Sequence, residues 1–241
     1  MSVFHFLHNI FLKSNGLRKG AIVRPLKDQI KTWRRADRLM GWGIDNNEFE
    51  KLAVVLPPSL TDDDRRQGFI GSVLFYGFGD DGHGNSDAVL SGQLAWEYIR
   101  KYNKGKTWQC EYVDFNKPQD IRLRPEAPDR PKGFYIAKIT SGERCTAMTV
   151  SQFRKTLTTN TGWGPEGFQF LCITHSHFAV LMNERRMPFM ALADYDVAPH
   201  GFNDFFDAPQ LFCSNKRLGL GVGNVDRNYP LFGVPTLRFA Q

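Results

Sequence analysis

Residues 168–194 read Phe168-Gln-Phe-Leu-Cys-Ile-Thr-His-Ser-His177, then Phe178-Ala-Val-Leu-Met-Asn-Glu-Arg-Arg-Met187, then Pro188-Phe-Met-Ala-Leu-Ala-Asp194. How this stretch is parsed decides the fold. Phe168–Ile173 is a short apolar run of the length of a buried strand, and Thr174 is a residue type that caps helices. His175–Arg186 then reads as a helix with Phe178, Leu181 and Met182 inward, and Pro188–Ala193 as a second buried strand. Strand, helix and strand at this length make a tight crossover, which joins two parallel strands in a right-handed sense.

Toward the C-terminus, Leu211–Cys213 and Arg217–Val225 read as strands around a turn at Ser214–Lys216. Gly219-Leu-Gly-Val-Gly223 is not a dinucleotide fingerprint. Its sixth position is Asn224, and too little chain follows for the helix, strand and acid that the fingerprint needs. A Gly-rich strand is the expectation. Toward the N-terminus, Phe134–Ile139 reads as a strand, Thr107–Phe115 alternates like one, and residues 116–132, with four prolines, read as an exposed connection.

The first hundred residues read as helical. Pro25 suits a first helical position, and Leu26, Ile30, Trp33 and Leu39 recur at helical spacing until Gly41. Asp45 opens a short helix. Thr61, with acids in the turn that follows, opens another running through Phe69, Ile70, Val73 and Leu74 to Gly77. Ser86 or Asp87 opens a third, reaching Tyr102. The expected class is therefore α+β: a helical N-terminal region over 1–105 packed on a mixed-sheet region over 106–241 that contains one parallel βαβ unit. No Gly/Ser linker divides them, so one continuous globular domain is expected.

Composition narrows the class further. The chain has 241 residues, 41% hydrophobic and 23% charged, which excludes a disordered chain, a coiled coil and a disulfide-stapled miniprotein. The net charge is +6, but residues 1–40 hold nine basic and two acidic residues, +7 in all, leaving −1 for the other 201. Four cysteines without a C-x-x-C spacing read as reduced thiols, with Cys172 and Cys213 as buried apolar residues. The apolar start, broken by His5, His8 and Asn9, lacks the plan of a secretory signal, and no run is as long as a membrane span. A cytoplasmic protein is expected. No family signature stands out.

Chemistry is expected where the two strands of the crossover end, because ligands bind at that edge of open parallel sheets. There the sequence supplies His175 and His177 after the first strand, and Asp194, Asp196 and His200 after the second. These residues suit a hydrolase or another His/Asp acid–base catalyst acting on a small molecule, with a carboxylate fixing an imidazole tautomer. A divalent metal held by His and Asp is the other version. If Thr174 caps a helix, His175 and His177 sit about 200° apart around its axis, which disfavours chelation by both. The alternative function is a non-catalytic protein that engages nucleic acid or an acidic partner through the helix at 25–40, by Lys27, Lys31, Arg34, Arg35 and Arg38.

The glycine-rich stretch 77–86 fits neither an EF-hand, which needs Gly where Ser86 stands, nor a P-loop. It is expected to be a polar connection.

Overall fold

The computed structural model describes residues 23–104, 106–115, 117, 120–146, 148–157, 160–174, 189–198, 204–214, 217–229 and 232–239. It is a mixed α+β fold. Helices α1 (Leu26–Met40), α2 (Asn46–Ala53) and α3 (Asp62–Gln67) precede strand β1 (Phe69–Gly77), and α4 (Ala88–Tyr102) follows it. The rest of the chain carries β2 (Thr107–Gln109), β3 (Ile121–Leu123), β4 (Gly133–Thr140), α5 (Val150–Arg154), β5 (Thr161–Gly162) and α6 (Pro165–Thr174). Then come β6 (Phe189–Ala191), β7 (Tyr195–Val197), β8 (Asp207–Ser214), β9 (Arg217–Asn224), β10 (Phe232–Gly233) and β11 (Thr236–Phe239).

The helix starts follow their local chemistry. Asp45, Thr61 and Asp87 each accept a backbone N–H of the first turn, and at Thr61 a full capping box forms with Asp64. Gly41, at φ +69°, closes α1 in the left-handed conformation that glycine tolerates.

Two expectations fail for identifiable reasons. The helix from Thr61 does not run on to Gly77. Gly68, at φ +91°, ends it after six residues, and the β-branched and aromatic run that follows pairs antiparallel with β4 as strand β1. Among the described residues of the N-terminal region there are four helices and one nine-residue strand, so the region is not the all-helical unit expected. The second failure is the one on which the fold reading turned. Residues 168–173 form not a strand but part of helix α6, opened by Pro165 at its first position. Pro165–Cys172 is buried on every side. A helix surrounded by protein has no polar face, so its sequence loses the 3.6-residue rhythm and reads as a strand. The parallel βαβ unit over 168–194 therefore does not form. The helix expected over His175–Arg186 lies outside the described residues. Residues 116–132 are also less exposed than expected: Ile121 and Arg130 are buried and the segment contains β3.

Two sheets result. One has the order β1-β4-β11-β5, all antiparallel. In the other β8 is central, with β9 along one edge and β6 and β7 along the other. β3 adds to β7, and the only parallel pairs among the described residues are β10 with β6 and β2 with β9. The glycines of β9 make room across the ladder. A Cβ on Gly219 would sit 2.5 Å from the Phe212 ring, and one on Gly223 1.9 Å from the Gln210 amide.

Among the described residues β1 has a strand neighbour on one side only, and helices complete the other. Gln29 of α1 accepts from Leu74 N (2.8 Å) and donates to Ser72 O (3.1 Å), and Trp33 Nε1 donates to Leu74 O (3.0 Å). Gln169 of α6 brackets Tyr76, accepting from its N–H at 2.9 Å and donating to its carbonyl at 2.7 Å. These buried amides thereby replace a missing strand, which explains polar side chains inside an apolar interior. That interior draws Trp33, Leu74 and Trp96 from the first half and Phe168, Tyr195, Leu211 and Leu237 from the second.

Candidate functional site

Of the five residues expected to carry chemistry, His175, His177 and His200 lie outside the described residues. Asp194 and Asp196 are described, on the turn between β6 and β7 and on β7 itself. Asp194 is fully buried. Its carboxylate accepts from Arg124 Nε at 3.1 Å, Arg130 Nη2 at 2.8 Å, Gly162 N at 3.2 Å and the Thr161 hydroxyl. Its backbone holds the same two segments: its N–H donates to Trp163 O, and its carbonyl accepts from Arg124 N at 2.8 Å.

Arg130 carries the network to a second buried carboxylate. Its Nε donates to Glu166 Oε1 at 2.7 Å, and Glu166 also accepts from Tyr135 OH at 2.9 Å and Gly164 N at 3.0 Å. Burial acts to discharge the Arg130 guanidinium, but Glu166 and Asp194 outweigh it and hold its pKa above the usual range. Burial and Glu166 likewise push the Tyr135 phenol well up, so it remains a donor. Arg124 and Arg130 against Asp194 and Glu166 make a neutral set of four. Every carboxylate oxygen has a donor, as a buried charge requires.

This network backs a cavity of about 500 Å3 between α5, the β5–β11 edge and the chain after β3. Arg124, Arg154, Arg238, Asn160, Thr161 and one acid, Glu126, supply its polar lining, and Pro128, Leu157 and Phe239 are among the apolar rest. Each arginine is anchored from behind. Arg124 uses Nε on Asp194 and Nη1 on the exposed Glu126. Arg154 uses Nε on Ala193 O (2.7 Å) and Nη2 on Tyr195 O (2.9 Å). Arg238 is fully occupied by Asn160, Asp64 and Gln67 and lies 4.6 Å over the Phe69 ring. Among the described residues, Arg124 Nη2 and Arg154 Nη1 meet no acceptor.

Asp196 sits behind Arg154. Its Oδ1 is 2.9 Å from Arg154 Nη2, a close ion pair, yet the alignment is too poor for a hydrogen bond, and among the described residues this buried oxygen has no other donor. Burial raises its carboxyl pKa, and the Arg154 charge opposes the rise. Among the described residues no three His, Cys, Asp or Glu side chains gather as metal ligands.

Comparison with protein-family models, with curated proteins and with solved structures finds no match.

The basic residues of the alternative reading all fall on α1, within a stripe about 100° wide at 3.6 residues per turn. Lys27, Lys31, Arg35 and Arg38 are exposed and Arg34 is half-buried. Arg34 lies 4.8 Å over the Phe49 ring and Arg35 5.5 Å over Tyr102, so aromatic faces hold two of the five. Lys31 approaches Asp28 at 3.8 Å across exposed surface. The glycine-rich stretch is a polar turn in which Asp81 accepts from His83 N and Asn85 N.

Sequence reasoning missed Arg124, Arg130, Tyr135, Arg154, Glu166 and Arg238. Arg124 and Arg130 stand in the Pro-rich segment read as exposed. Prolines at 125, 128 and 131 fix the backbone φ of that segment, but nothing in their spacing names the partners of its arginines.

Proposed function

We propose that the protein binds a small oxyanion-bearing molecule, a phosphate ester or a carboxylate, in the arginine-lined cavity beside Asp194. The observation that carries this reading is the state of Arg124 and Arg154. Arg154 has Nε and Nη2 on buried backbone carbonyls, Arg124 has Nε on the buried Asp194 and Nη1 on the exposed Glu126, and each leaves one Nη facing no acceptor among the described residues. Such guanidiniums are fixed before the ligand arrives, so little side-chain freedom is lost on binding. Asp194, with four donors on its carboxylate and no exposure, serves in this reading to position Arg124 and Arg130. A catalytic version adds proton transfer by His175, His177 or His200. It is favoured at Asp196 over Asp194, because Asp196 keeps an oxygen without a hydrogen bond and a raised pKa.

Thermal unfolding with inorganic phosphate, phenyl phosphate and succinate, each against sodium chloride at equal ionic strength, tests the binding. A ligand at a hundred times its Kd stabilises the fold by about 2.7 kcal/mol. For a chain of this size that is a rise of roughly 5–10 °C in midpoint. Arg154→Gln should abolish the rise. Midpoints that follow ionic strength alone, for all three anions, would defeat the proposal.

A further inference from the structure

The α1 stripe does not end at α1. Lys101 of α4 donates to Leu39 O at 2.8 Å, in the last turn of α1, and the Arg35–Tyr102 contact lies beside it. Lys101 also lines a second cavity of about 620 Å3, with Glu97, Arg100, Thr107, Trp108 and Gln109. Arg100 and Lys101 are exposed, as are Lys104 and Lys106 in the turn that joins α4 to β2. The single acid in the lining, Glu97, already accepts from Gln93 at 3.0 Å.

Trp108 is the unusual member. It is 50% exposed on β2, whereas Trp33, Trp96 and Trp163 are buried. One side of the indole rests toward Phe212, ring centroids 5.9 Å apart, over the space that Gly221 leaves. The side chain is therefore held in place while half of it remains open to solvent.

We infer that this composite face, the α1 stripe continued through Lys101 and Arg100 to Trp108, binds single-stranded nucleic acid. Each element of the surface selects for that partner. The cations meet backbone phosphates along a line, which gives affinity without sequence preference. An indole packed against Phe212 yet half exposed offers ring surface on which an unpaired base can stack. A duplex buries its base faces against one another, and an acidic peptide has no flat π surface for the indole. No residue of this face lines the arginine cavity, so the two readings stand or fall separately.

The test is fluorescence polarisation of a labelled twelve-nucleotide oligo(dT) with the full chain, at 50 and 200 mM salt. With about four phosphates neutralised, affinity should fall roughly fifty-fold over that range. Trp108→Ala should weaken binding by about tenfold, and Trp108→Tyr should restore most of it. The double variant K101E/R38E should weaken binding and flatten the salt dependence, with circular dichroism unchanged. Absence of binding at 50 mM salt overturns the inference. So does a duplex of equal length bound as tightly with Trp108→Ala neutral. Equal displacement of the oligonucleotide by poly-glutamate also overturns it, in favour of an acidic protein partner.

Discussion

The molecule handles charge in two opposite ways. Around Asp194 the central charged groups are enclosed, with Glu126 exposed at the rim: Arg130 and Glu166 are nearly or fully buried, each with fixed partners of opposite sign. Along α1 and the end of α4 the cations face water, and Lys31 meets Asp28 across exposed surface. The difference teaches where a charge spends its interaction energy. An enclosed charge is committed to holding the fold, and it can serve a ligand only through the N–H groups left over, as at Arg124 and Arg154. An exposed charge is worth little to stability and is available to a partner.

That contrast can be broken experimentally, and the largest effect belongs to the enclosed set. Arg130→Ala leaves two buried carboxylates short of donors. It should cost about 3–5 kcal/mol, measured as a fall of roughly 10 °C or more in the unfolding midpoint. A change below 1 kcal/mol would mean that water reaches the network. Next comes Gln169→Ala, which strands the Tyr76 N–H and carbonyl. Each unpaired group costs about 1–3 kcal/mol, and hydrogen exchange at Tyr76 should accelerate in the same variant.

The third prediction concerns acid. Asp64 caps α3 and meets Lys138 at 2.6 Å and Arg238 at 3.2 Å. The Lys138 hydrogen bond first, then the Thr61 backbone, hold its pKa down at about 2. A carboxyl that is more acidic in the fold than in the unfolded chain, where the value is about 3.9, stabilises the fold fully above that value. The contribution disappears as pH falls through 2. Urea midpoints should drop between pH 4 and pH 2, and Asp64→Asn should flatten that drop. The smallest effect belongs to the exposed face. K31E and R38E should each change stability by no more than about 0.5 kcal/mol. A larger loss would show that the stripe holds the fold after all.

Much of the local structure was legible in the sequence because local chemistry determines it. The caps at Asp45, Thr61 and Asp87 and the helix 26–40 with its basic stripe follow from side chains within a turn of one another. So does the β8–β9 hairpin. What could not be read was set by distant contacts. Phe69–Gly77 is a strand because β4, some sixty residues on, pairs with it, and because Gln29, Trp33 and Gln169 finish its free edge. Residues 168–173 read as a strand because protein surrounds the helix on all sides and removes the polar face. At the candidate site, Asp194 and Asp196 could be picked out as titratable residues near a strand end, but not their arginine partners. Arg124 and Arg130, Arg154, and Arg238 come from three separate segments, and no spacing in the chain announces that they converge.

The central claim is that Arg124 and Arg154 hold an oxyanion between them. A crystal structure grown with phenyl phosphate tests it most directly. The account predicts phosphate density within hydrogen-bond distance of both Arg124 Nη2 and Arg154 Nη1, with the Asp194 network unmoved. Phosphate seated elsewhere, or the cavity holding only water at saturating ligand, would contradict it.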